Sequence, residues 1–364
     1  MGMTTDLSFF PPDYASSRRR FRDAAARLGC ALEAHPVNQT GPDGEALTID
    51  VAIVPGARQD RALVVSSGIH GVEGFFGAAV QHRVLEDWAA RPDSKRPGVR
   101  CVMVHALNPF GFAWRRRVNE DNIDLNRNLL LEGEPFRGSP VGYARFDAIL
   151  NPPRGPSRWE PVRLKVLATI ARYGMPALKQ SVAAGQYDFP KGLFYGGGGP
   201  ARMNEILSRH FDRWLGGSER VFHLDLHTGL GRSGSYKLLI DHPIDEAQRA
   251  WMSARFGADA FELATASGVA YLTSGSLGRW AWSRRGARDY LYSAAEFGTY
   301  AAPRVLTALR AENQCHHWGR PDDAATEQVK QELVEVFCPR AESWRAQVLE
   351  QGMRLVEQAA AGLA

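Results

Sequence analysis

The chain has 364 residues, 44% of them hydrophobic and 23% charged, with a net charge of +4 and an isoelectric point near 8.9. That is ample apolar material for one large domain or two smaller ones, in the composition range of a soluble globular protein. No run of about 18 apolar residues is present, so a membrane span is not expected, and the mildly basic charge argues against a nucleic-acid binder because neither Arg18-Arg19-Arg20 nor Arg115-Arg116-Arg117 is interleaved with aromatic residues.

The amino-terminal MGMTTDLSFFPPDYASS lacks the basic start and apolar stretch of a secretory signal. Cys30, Cys101, Cys315 and Cys338 show no CxxC spacing, the pattern of reduced, buried thiols and a cytoplasmic home. Residues 14–34 are predicted to form an opening helix with Phe21, Ala24, Ala25 and Leu28 on one face. Ala46–Val54 and the β-branched run Ala62–Ser66 are predicted strands, Gly74–Trp88 a helix and Val99–His105 a buried strand. The 131–200 stretch is rich in Pro and Gly, interrupted by a predicted helix around 161–173, and reads as a loop-rich insertion that forms a rim or lid. Val221–His227 and Tyr236–Ile240 are further predicted strands, and Glu327–Val336 and Glu342–Ala361 are predicted closing helices. Strands alternating with helices over this length imply an α/β sheet with helices on both faces.

The chemistry begins after the first strong strand, in Ser66-Ser67-Gly68-Ile69-His70-Gly71-Val72-Glu73-Gly74. Functional groups of such sheets collect where strands end in loops. His70 and Glu73 stand three apart, which on a helical turn points both side chains the same way. Imidazole nitrogen and carboxylate oxygen are ready zinc ligands, and a His/His/Glu set with one open position is a hydrolytic arrangement. In Val221-Phe222-His223-Leu224-Asp225-Leu226-His227, positions 223, 225 and 227 share one strand face. His227, at the strand end, suits a ligand; Asp225 suits a partner that orients a ligand from behind; His223, deeper, reads as structural. The segment Asn108 to Asn128 (NPFGFAWRRRVNEDNIDLNRN) is dense in Asn and Arg, groups that grip carboxylates and carbonyls.

Together HGVEG, NPFG with the arginines, DLNRN, LDLHTG and EFGTY resemble the zinc carboxypeptidase (carboxypeptidase A-like) superfamily. LDLHTG more closely resembles the related succinylglutamate desuccinylase/aspartoacylase deacylases, and the combination is similar to a bacterial branch known only as a domain of unknown function. The resemblance runs from His70 to about Tyr300, roughly two-thirds of the chain. It implies a single catalytic domain over 1–364, with a central mixed sheet flanked by helices on both faces. By the same resemblance His70, Glu73 and His227 hold one Zn2+, Asp124 supports the first histidine, and Asn126 and Arg127 grip the substrate carboxylate. Arg117, or Arg116 beside it, polarises the scissile carbonyl, and Glu296 is the catalytic glutamate. A Tyr usually assists from a mobile loop; Tyr271, Tyr290 and Tyr292 are the candidates. The expected activity is a metallocarboxypeptidase acting on peptides, with an N-acyl amino acid amidohydrolase and a non-catalytic zinc or peptide-binding module as the other readings.

Overall fold

Asp13 accepts a hydrogen bond from the Ser16 amide and opens α1 (Tyr14–Arg27), which buries Phe21, Ala24 and Ala25 along one face. The helix stops at Leu28 because Gly29 turns the backbone to φ +76°. The helix predicted over 14–34 is therefore too long: Ala31–Thr40 forms β1, a largely exposed edge strand whose apolar residues follow no two-residue alternation. The computed structural model describes residues 6–140, 142–157, 160, 171–172, 184–264 and 273–364.

The elements that follow are β2 (Ala46–Val54), β3 (Arg58–Ser67), α2 (Gly74–Ala90), β4 (Val99–His105), α3 (Pro109–Ala113), α4 (Tyr143–Leu150), α5 (Arg202–Leu215), β5 (Arg220–Ser233) and β6 (Tyr236–Ile240). They continue with α6 (Glu246–Phe256), β7 (Phe261–Leu263), α7 (Leu277–Ser283), β8 (Asp289–Gly298), α8 (Ala302–Trp318), α9 (Ala324–Phe337) and α10 (Glu342–Leu363). The eight strands form one sheet in the order β1-β2-β4-β3-β5-β8-β6-β7. The central β4, β3, β5 and β8 run parallel, while β2 and β6 run antiparallel to the strands they flank, so the sheet is mixed. Ala62–Ser67 of β3 and Val221–Gly229 of β5 are buried on both faces; Ala62–Val65 accordingly reads as an apolar run, whereas β5 buries His223, Asp225 and His227 on one face.

Helices cover both faces. Phe297 meets Phe76 of α2 at 4.7 Å between ring centroids, Phe76 meets Trp344 of α10 at 6.0 Å, and Phe222 packs on Trp251 of α6 at 5.1 Å. On the other face, Phe211 of α5 meets Trp280 of α7, His223 and Tyr290. Helix α10 crosses the sheet from end to end. Its Trp344 indole donates to Gly298 O at 2.9 Å, and its Leu363 carbonyl accepts from Arg61 Nη1 at 2.8 Å at the start of β3.

The helix predicted around 161–173 lies almost wholly outside the described residues. Residues 184–200 pack directly on the 119–128 loop: Asp124 N donates to Tyr195 O, and Asn128 Nδ2 donates to Gly196 O and Gly199 O. Among the described residues no helix is long and apolar enough to cross a membrane. All four cysteines are free thiols, three of them buried.

Candidate metal centre

The carboxyl ends of β3, β5 and β8 lie side by side, and the site is built there. After β3, Gly68 turns at φ +64°, His70 follows in extended backbone, and Gly71–Glu73 form a single 3-10 turn that runs into α2. The turn is pinned from outside, because Gly71 N donates to Arg117 O and Val72 N to Arg116 O. A side chain at Gly71 would strike the backbone of Gly111. His227, expected at a strand end, lies in the middle of β5, which runs on to Ser233, and is in register with Glu296 on β8.

His70, Glu73 and His227 each bring one potential ligand atom within 4.8 Å of the other two, and all three are buried. His70 Nδ1 lies 2.9 Å from Glu73 Oε1, and His227 Nδ1 lies 3.1 Å from Glu73 Oε2. The opposite nitrogens face carboxylates: His227 Nε2 is 2.7 Å from Asp225 Oδ2, and His70 Nε2 is 3.2 Å from Asp124 Oδ1. Each imidazole therefore turns Nδ1 inward with a carboxylate behind it, the usual support of a metal-ligating histidine.

The electrostatics call for positive charge at the centre. Burial alone would raise the Glu73 carboxyl, but the His70 and His227 rings hold it well below the carboxylate range. Burial would lower His227, yet Asp225 and Glu73 raise it well above an ordinary histidine. Protons at Nδ1 thus hold the three groups together, and a divalent cation could replace them, since two imidazoles and a carboxylate suit zinc.

Arg117 closes one side. Its Nε donates to Asp124 Oδ2 at 3.1 Å, its Nη1 to Glu73 Oε1 at 3.3 Å, and its Nη2 lies 2.7 Å from His70 Nε2. Arginine only donates, so this contact and a proton on His70 Nε2 exclude each other. A cation at Nδ1 would need that proton, with Asp124 placed to accept it, and Arg117 would have to leave the ring.

Glu296 stands beside His227. Its Oε1 accepts from Leu230 N at 2.8 Å, and burial together with the Glu73 charge pushes its carboxyl up to about 7. Asn126 Oδ1 accepts from Leu277 N at 2.9 Å, and its own N–H donates to Asp124. Arg127 is 7% exposed and donates to Asn126 O; its stem lies under Gly185, and its carbonyl accepts from the Tyr187 hydroxyl.

Other candidates fall elsewhere. Arg116 does not reach the cluster: it is buried against Glu312 at 2.7 Å and Asn122 at 2.9 Å, so the alternative role weighed for it is withdrawn. Arg115 forks onto Glu327. Tyr290 and Tyr292 are buried on β8 behind the ligands, on a strand and not in a loop, and Tyr271 lies outside the described residues. Ser66, which the sequence reading passed over, touches Asp225 and His223. Its only sequence signal is its place at the end of β3.

A family model described as "Protein of unknown function (DUF2817)" matches residues 10–351. No curated protein matches the chain. Among solved structures, carboxypeptidase A from Helicoverpa armigera aligns at 12% identity over 92% of this chain and 76% of its own, with a TM-score of 0.46. An aspartoacylase family protein from Mesorhizobium loti aligns at 14% identity over 88% and 71%, with a TM-score of 0.37. Murein-tripeptide amidase from Escherichia coli O157 aligns at 16% identity over 89% and 100%, with a TM-score of 0.39.

Proposed function

Because the chain belongs to the DUF2817 family, whose description assigns no activity, we propose from the site itself that it is a zinc-dependent hydrolase, cleaving the C-terminal peptide bond of a peptide. The observation that carries this reading is the convergence of His70 Nδ1, His227 Nδ1 and the Glu73 carboxylate beside an acid held near pH 7. Those three residues hold one Zn2+, with Asp124 and Asp225 fixing the imidazoles from behind. When bound, the ion supplies a Lewis acid and lowers the pKa of water toward neutrality. Glu296, poised between its two protonation states near neutral pH, takes a proton from the attacking water and returns it to the leaving amine. Arg117, freed from His70, points its fork at the carbonyl oxygen as negative charge develops there. Arg127 and Asn126 hold the substrate carboxylate, so that binding sets the position of the scissile bond.

An amidohydrolase acting on N-acyl amino acids would use the same residues. The cover that Gly185 and Tyr187 place over Arg127 favours it, since a tight grip suits a small ligand. Assays on peptides with free and blocked C-termini, set against N-acyl amino acids, separate the two. Glu296→Gln is expected to lower kcat by roughly 10²–10⁴-fold while zinc content stays at one ion per chain. Near-normal turnover in that variant would remove Glu296 from the mechanism, and loss of zinc on purification with no effect on turnover would remove the metal.

A further inference from the structure

Behind His227 a file of polar groups runs on into the core of the sheet. The register of β3, β5 and β8 brings Ser66, His223, Asp225 and Tyr290 together, all of them buried. Asp225 Oδ2 lies 2.7 Å from His227 Nε2 and also accepts from the Tyr292 hydroxyl at 3.1 Å. Asp225 Oδ1 accepts from Ser66 Oγ at 2.6 Å. Ser66 Oγ lies 2.7 Å from His223 Nε2, and His223 Nδ1 lies 2.7 Å from the Tyr290 hydroxyl.

Proton counting fixes the direction of every link. Ser66 has one hydroxyl proton, and the carboxylate takes it. Its oxygen must then accept from His223, which places the His223 proton on Nε2. Burial pushes His223 down to about 4, so the ring is neutral near pH 7 and its Nδ1 can only accept, from Tyr290. All donors point one way, toward Asp225. Reversing a link would face two protons or two lone pairs among buried groups and leave a hydrogen bond unmade.

We propose that Ser66, His223 and Tyr290 are positioning residues whose one-way hydrogen-bond file locks the Asp225 carboxylate, and through it holds His227 with the Nδ1 lone pair turned to the metal. The proposal rests on the metal-hydrolase reading above and deepens it. It also gives His223 a part beyond filling the core. The file is anchored on three strands, so it transmits position through rigid backbone and not through a loop.

Ser66→Ala and Tyr290→Phe each remove one hydroxyl, at the first and the third link from Asp225. For each, the Zn2+ dissociation constant is measured by chelator competition, and the visible spectrum is recorded after Co2+ substitution. Ser66→Ala is expected to weaken zinc binding about 10–100-fold and to shift the Co2+ bands. Tyr290→Phe is expected to move both in the same direction by a smaller factor. Core-filling alone would lower the melting temperature and leave both metal readouts of the folded protein unchanged, and that result would overturn the proposal. Imidazole ¹⁵N resonances of the metal-free wild-type protein supply a test that needs no variant: His223 is expected as the neutral Nε2–H tautomer, and the Nδ1–H tautomer would sink the file. Wild-type protein that takes up no divalent cation overturns the metal reading itself, whereas wild-type affinity retained in Ser66→Ala overturns only the positioning.

Discussion

At residue scale, Arg116 and Arg117 are neighbours in sequence with opposite environments. Arg116 is buried with Glu312, their side chains 1% and 5% exposed, while Arg117 lies over the ligand cluster. Arg116→Ala would leave the Glu312 carboxylate buried without its cation, at a cost of about 3–5 kcal/mol in stability, read as a lower urea midpoint with kcat/KM per folded molecule unchanged. Arg117→Ala is expected to do the reverse, lowering kcat by roughly 10²–10³-fold with a smaller change in urea midpoint. Spacing could not tell these residues apart, because Arg115 adopts φ +53° and the three consecutive side chains splay onto three different partners. His70 and Glu73 were legible because one turn of backbone sets their relation, and His227 because it shares a strand face with Asp225 and His223, although β5 runs on past it to Ser233. Ser66 was not, since its part depends on register among three strands far apart in sequence.

At the scale of elements, the 3-10 turn Gly71–Glu73 carries more constraint than its length suggests. It sets the relation of two of the three residues proposed to hold the metal, and its first residue is pressed against the Gly111 backbone. Gly71→Ala must displace the turn or the start of α3, costing about 1–3 kcal/mol and moving His70 relative to His227. The expected readout is a weakened Zn2+ dissociation constant in a protein that still shows a native circular dichroism spectrum; unchanged zinc affinity would mean that the turn yields without moving its ligands. The core of β3 was readable from its β-branched apolar run. Strand β1 was not, because it owes its conformation to pairing with β2 and not to its own residues.

Across the whole molecule, the core holds histidines that must stay neutral. Burial keeps His105 well below the ordinary histidine range, and the same holds for His223. A pKa lowered in the folded state stabilises the fold fully above about pH 6.5, and that contribution is lost as pH falls toward the folded value. Each such group steepens the acid limb by up to about 1.4 kcal/mol per pH unit. Unfolding free energies of wild type and His105→Gln from urea titrations should therefore converge by about that slope between pH 6.5 and 4.5, since their difference cancels all other titrations; parallel curves would mean that folding does not lower the pKa of His105.

The span of α10 bears on how the fold is completed. Arg61 at the start of β3 grips the Leu363 carbonyl across 302 positions of chain, and Trp344 caps the strand that carries Glu296. A ribosome making this polypeptide releases every sheet strand, and every residue assigned to the metal, before it releases the helix that seals them. Until α10 docks, α2 and α6 cover that face alone, and the ends of β3 and β8 lack the contacts that Leu363 and Trp344 bring.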